Sequence, residues 1–214
     1  MDGVQHGGAP GRWRPSWRLL LATALGYAAG AQFAWTFLAA AEASAVFYAA
    51  AGVTSAALVL SRPAQWPWVL RVVAAIEVAV VVAHGRTPGQ AAAFALANIA
   101  EALVGVLLLR RFVTRLDLTR RRHVAAFVGC CVVAGPLVGA VIGATTLAAT
   151  SATGWVDAFF PYWAGDALGV LTVGSAIVAW RTRRGPAPSR RDLLWKAAAA
   201  AATVAVTVVA FWPL

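Results

Sequence analysis

Residues 90–109 read QAAAFALANIAEALVGVLLL, and Arg110 and Arg111 follow at once. Twenty consecutive residues that are almost all apolar give about 30 Å of helix, the thickness of a bilayer's hydrocarbon core. Beyond Gln90 at its start, the only strongly polar side chains in that stretch are Asn98 and Glu101. The segment is therefore a membrane span with two polar groups at mid-depth. The rest of the chain repeats the theme. Over 214 residues it is 61% hydrophobic and 12% charged, with a mean hydropathy of +0.73. A soluble domain holds roughly 45–50% apolar and about 25% charged residues, and at this size its core is too small to hide such an excess. A soluble enzyme, a disordered tail and a secreted disulfide scaffold are excluded.

The hydropathy pattern predicts an all-α polytopic membrane protein of about seven transmembrane helices, at 17–40, 44–61, 66–84, 90–109, 124–148, 157–180 and 193–212, the second being the shortest. Trp17, Trp66, Trp68, Trp155, Trp180, Trp195 and Trp212 fall at span ends, where indole rings favour the lipid–water interface. Residues 1–16 form a short N-terminal segment ahead of the membrane domain at 17–212.

The net charge of +10 comes almost wholly from 17 arginines. Fifteen of them fall in segments that the seven-span count places on one side: the N-terminal segment, the loop after the second span, the loop of Arg110, Arg111, Arg115 and Arg120–Arg122, and the segment after the sixth span. Arg86 stands alone on the other side. The positive-inside rule then predicts a plasma-membrane protein with a cytoplasmic N-terminus, and seven spans place the C-terminus outside. The basic loops fit topology and contact with anionic headgroups, and no nucleic-acid partner is expected of them. Cys130 and Cys131 are adjacent inside an apolar run. They predict neither a disulfide nor a metal framework, only small lipid-facing or packing residues.

An ionisable side chain near the bilayer centre costs at least about 2.5–3.5 kcal/mol, so it calls for a protein partner or an aqueous cavity. Counting 1.5 Å per residue, Glu77 lies roughly 16 Å into the third span, Glu101 roughly 16 Å from the outer end of the fourth and Asp166 roughly 13 Å from the outer end of the sixth. With Asn98 one turn from Glu101 on the same helix face, these four residues define one polar layer. Asn98, Glu101 and Asp166 are the candidate ligand pocket, and Glu77 is a weaker member. Gly105, Gly165 and Gly169 are candidate close-packing positions beside it. Arg71 is free to snorkel or to pair with an acid on another helix. The sequence carries no phosphate loop, HExxH motif or His/Cys cluster, so no catalytic residue, cofactor or metal is expected and the chain does not read as an enzyme.

Three stretches add a resemblance: ANIAEALVG at 97–105, running into Leu109-Arg110-Arg111; PLVGAVIGAT at 136–145; and YWAGDALGVL at 162–171, ending near Trp180. Together and in this order they resemble the MASE1 family, the integral membrane sensor domain of bacterial histidine kinases and diguanylate cyclases. The resemblance implies ligand perception by helix rearrangement, with a signal passed to a cytoplasmic output. Two places depart from the family pattern. Tyr48-Ala49-Ala50-Ala51-Gly52 stands where the family favours Trp-Pro before Ala-Gly, and Gly174-Ser175 stands where a proline often follows the Gly-Val-Leu run. Both departures remove expected kinks.

The reading is a stand-alone or degenerate sensory module without a fused output, in contact with the lipid bilayer and a signalling partner in the membrane or cytoplasm; a homo-oligomer is also compatible. A small proton-coupled transporter or permease using the mid-membrane carboxylates is the alternative. A retinal receptor anchored on Lys196 is a distant third, because Lys196 sits only about one turn into the last span.

Overall fold

The computed structural model describes residues 16–38, 47–182, 191 and 194. The chain divides into two compact units, 1–182 and 183–214. In the second, Arg191 and Leu194 are helical and exposed. The seventh expected span, 193–212, thus lies almost wholly outside the described residues, as does Lys196.

Among the described residues all the regular structure of the first unit is helical. Helix α1 runs over Trp17–Phe33 and continues through a π-helical stretch, Ala34–Leu38. Helix α2 is Ala49–Leu60, α3 is Trp66–Ala83 and α4 is Pro88–Phe112. Helix α5, Arg121–Thr150, and helix α6, Trp155–Thr182, each contain a π-helical stretch, at Val128–Ala134 and Val170–Gly174. Four continuous helices are long and apolar enough to cross a bilayer: Pro63–Ala83, Pro88–Phe112, Arg121–Thr150 and Trp155–Thr182. Among the described residues the first unit has six helices, which leaves the expected count of seven spans unconfirmed.

The second of them corrects the sequence reading most. Instead of a span over 44–61, α2 has 12 residues, about 18 Å, and cannot cross a 30 Å core. Phe47 and Tyr48 are non-helical, and Tyr48 is buried. Irregular backbone at this depth persists only where protein satisfies it. Here the Tyr48 N–H donates to the Gly165 carbonyl at 2.9 Å.

Local chemistry explains the remaining boundaries. Gly85, with φ of +81°, ends α3 in the left-handed conformation that glycine adopts without strain. Two residues on, Thr87 and Gln90 form a reciprocal capping box around Pro88 at the first turn of α4. At the other end of α4, Arg110 donates to the carbonyls of Ser61 (2.8 Å) and Leu58 (3.4 Å) at the C-terminus of α2 and lies 4.5 Å over the Trp66 ring. Trp66 Nε1 also donates to the Leu58 carbonyl, at 3.0 Å. The guanidinium thus satisfies carbonyls that a helix end leaves open and complements their negative dipole. Arg110→Lys keeps the charge but loses the planar fork and the stacking. It is expected to cost about 1 kcal/mol in thermal unfolding of the detergent-solubilised chain, and to be no better tolerated than Arg110→Gln.

Leu25, Leu96, Leu107, Val141 and Phe160 point outward, while Tyr27, Leu58, Val69, Val73, Val106, Phe127 and Val170 pack inside. That is the distribution of a bundle whose solvent is lipid. Cys130 and Cys131 are both free and buried in the π stretch of α5, so they pack within the protein rather than face lipid. Among the described residues Arg71 forms no ion pair with an acid; its guanidinium stacks 4.9 Å over Trp68. Arg86 lies over Trp35, which itself stacks on His84.

Candidate functional site

The polar layer is built from the outside inward. α3 carries Glu77, α4 carries Asn98 and Glu101, and α6 carries Asp166, all of them 3% exposed or less. The Glu77 carboxylate accepts from the hydroxyls of Tyr27 on α1 (2.9 Å) and Tyr48 before α2 (2.7 Å), both on Oε2. Asn98 Nδ2 donates to the Tyr27 oxygen at 2.9 Å. The two tyrosine oxygens are 3.4 Å apart and their rings meet edge to face. One carboxylate thereby ties together α1, the entry to α2, α3 and α4.

Glu101 sits beside this network but does not join it. Its side chain passes over Gly139 of α5, where an added Cβ would come within 2.6 Å of Glu101 Oε2, and it reaches the Asp166 carboxyl on α6. Both Glu101 oxygens, Asp166 Oδ2 and Asn98 Oδ1 are buried with no hydrogen-bond donor among the described residues. None of the three acids has an ion-pair partner there either; the ion pair found, Arg120 with Asp117, belongs to the loop between α4 and α5. No three His, Cys, Asp or Glu side chains among the described residues come together as a metal set.

Glycines on α5 create the room for this arrangement. Gly135, Gly139 and Gly143 follow one another at four-residue spacing, so they lie on one helix face. A Cβ at Gly135 would stand 2.7 Å from the Glu101 carbonyl oxygen, and one at Gly143 would enter the Tyr162 ring. Gly105 of α4 meets the Cys130 carbonyl and Cys131 Cα of α5, each 3.1 Å from a built Cβ. On the far side, Gly52 of α2 faces the Gly169 carbonyl and the Gly174 nitrogen, and Gly169 faces the Tyr48 carbonyl. Gly165 contributes its carbonyl to Tyr48. The structure thus places Glu101 with Asp166, and Asn98 with Glu77 in the adjoining hydrogen-bonded network of Tyr27 and Tyr48.

Sequence reasoning missed Tyr27, Tyr48 and the glycine row of α5. Two signals were available. Tyr27 lies about 15 Å into its span, whereas interfacial tyrosines sit at the ends, and the spacing at 135, 139 and 143 is a small-residue stripe.

The MASE1 family model matches residues 19–214 of the chain. The chain belongs to the MASE1 family. Comparison with curated proteins and with solved structures finds no match. MASE1 is an integral membrane sensor domain, which agrees with the apolar helices found here. The three MASE1-like stretches map onto α4, α5 and α6, and they are the stretches that meet at Glu101, Gly139 and Asp166.

Proposed function

We propose that this MASE1 chain is a membrane sensory module whose perception site is the buried layer of Asn98, Glu101 and Asp166, with Glu77, Tyr27 and Tyr48 as its inner wall. One observation carries the reading. Four buried acceptor oxygens lack a donor among the described residues at the place where α4, α5 and α6 come together over glycines. A polar group left unsatisfied in a span is costly, so such a set is retained for what it binds. The π stretches at Val128–Ala134 and Val170–Gly174 lie within about two turns of Gly139 and Asp166. Stretches of this kind recur at functional sites and bend helices. They are the elements that a binding event would shift between two packings, in proportion to its differential affinity for them.

The arginine-rich end, with the loop between α4 and α5 and the end of α6, is the cytoplasmic end by charge asymmetry. A signalling partner would read the rearrangement there. A transporter reading draws on the same acids, with no further observation in its favour. The test is the transcript profile of the host's deletion strain complemented with the full chain or with Glu101→Gln. The expected result is a set of transcripts restored by the wild type and left unrestored, or fixed at one level, by the variant at equal membrane abundance. Identical profiles would overturn the reading.

A further inference from the structure

The orphan atoms of the layer share one property: all four are oxygens, and all are acceptors when the acids are ionised. What they lack is hydrogen, not another acceptor. Glu101 lies against Gly139 of α5 and the Tyr162 ring against Gly143, one turn further along, so Asp166, one turn from Tyr162 on the same face of α6, comes level with Glu101; as two carboxylates neither can donate to the other. Two negative charges this close and away from water repel strongly, whereas a single hydrogen between them turns the repulsion into a charge-assisted hydrogen bond.

Resting on the perception site proposed above, we propose that its ligand is a proton, held between the carboxyl groups of Glu101 and Asp166. On the α5 side sterics leave no room for a bulkier ligand: a Cβ at Gly139 would stand 2.6 Å from Glu101 Oε2 and 3.1 Å from Glu101 Cβ. The groups facing the pair leave the proton to it. From α1 and the entry to α2 come the hydroxyls of Tyr27 and Tyr48, both committed to Glu77 of α3. From α6 comes Tyr162, whose ring covers Gly143. α4 itself adds Asn98 one turn away, and α5 presents glycine, with Cys130 and Cys131 meeting Gly105 through their backbone. No Lys, Arg or His of the described residues forms an ion pair with either acid.

The step balances simply. One H⁺ enters from the aqueous phase, an O–H bond forms on one carboxylate, and that hydroxyl donates to the other; the site's charge changes from −2 to −1. Because Glu101 belongs to α4 and Asp166 to α6, uptake draws those helices together over α5 and release lets them part. The proton is thus both the signal and the strap.

The experiment uses the full chain in lipid nanodiscs, with infrared difference spectra of the protonated-carboxyl carbonyl band recorded across a pH titration. Spin labels at the outward-facing positions Leu96 and Leu168 report the α4–α6 distance in parallel. The expected result is one carboxyl band per chain that titrates, absent in both Glu101→Gln and Asp166→Asn and present in Glu77→Gln. The label distance should shorten as the band appears. These amide variants keep the size of the parent side chains, and retained helicity by circular dichroism shows that they fold. A titrating band that survives in both amide variants, a band removed only by Glu77→Gln, or no titrating band at all would overturn the proposal. If the band fails while the transcript response still depends on Glu101, the proton is the wrong ligand of a genuine perception site. If the band behaves as expected and the transcripts ignore Glu101, the proton site stands and the sensory reading falls.

Discussion

The Gly169→Ala variant is expected to lose about 3 kcal/mol of unfolding free energy in bicelles, the upper end of what one inserted methylene-sized group costs in a packed core. A Cβ built on Gly169 lands on the Tyr48 carbonyl oxygen, 2.6 Å from the Tyr48 carbonyl carbon and 3.3 Å from the Ala49 nitrogen. All three are backbone atoms, so no rotamer change relieves the clash. The entry to α2 cannot slide away either, since the Tyr48 N–H is bonded to the Gly165 carbonyl on the same α6 face. Moving it would also withdraw the Tyr48 hydroxyl from Glu77. The control is Gly129→Ala on α5, where a Cβ meets nothing within 4 Å. There alanine's better helix propensity should leave stability unchanged or raise it by up to about 1 kcal/mol. A small loss at Gly169, comparable to that at Gly129, would mean that α2 and α6 do not cross backbone to backbone.

How much of this was legible in the sequence depends on how local the cause is. Apolar runs of about twenty residues with arginines or tryptophans at their ends are a one-dimensional signal. The expected spans at 66–84, 90–109, 124–148 and 157–180 accordingly agree with α3 to α6 within a few residues. Helix α2 was not legible. Residues 44–61 are as apolar as a span, and what stops the helix at Ala49 is a carbonyl more than a hundred residues away that accepts from Tyr48. The π stretches were hidden for the same reason. The missing proline near Gly174-Ser175 suggested a straighter helix, yet Val170–Gly174 is wound as π at that place.

The candidate site divides along the same line. Glu77, Asn98, Glu101 and Asp166 stood out because an ionisable or amide group is rare in a span, and 1.5 Å per residue was enough to set them at one depth. Which of them touch is a matter of helix rotation and crossing, which composition does not encode. Glu77 looked like the weaker member, and it proves to be the shared acceptor of two tyrosines. Tyr48 had stood out only as a departure from the family's Trp-Pro; its hydroxyl fills a place in the polar network. The Gly135, Gly139 and Gly143 spacing went unread, and a small-residue stripe marks a close approach without saying that a glutamate crosses there.

Replacing Glu77 with leucine tests whether that network holds the inner wall together. Leucine is similar in size, so little cavity forms, and the loss is that of an acceptor. In a water-soluble core each stranded hydroxyl would cost about 1–3 kcal/mol. Within a membrane the unfolded helices also find partners, and contacts average around 0.6 kcal/mol. Two hydroxyls lose their acceptor together. Tyr48 keeps only the Tyr27 oxygen at 3.4 Å, while Tyr27 still accepts from Asn98 but has nowhere good to donate. The expected cost of Glu77→Leu is therefore about 1–2 kcal/mol, below that of Gly169→Ala because a stranded hydroxyl can tilt and a blocked backbone cannot. Glu77→Gln, which retains an acceptor oxygen, should cost less than half as much. The deciding measurement is the double-mutant cycle. In the wild-type background Tyr48→Phe should destabilise, whereas in the Glu77→Leu background it should be neutral or stabilising, because it then removes a hydroxyl with no acceptor. If the two losses simply add, the hydroxyls and the carboxylate do not act through each other. Glu77 would then stabilise α3 by some other contact, and Tyr27 and Tyr48 would be packing residues whose polar ends carry no weight.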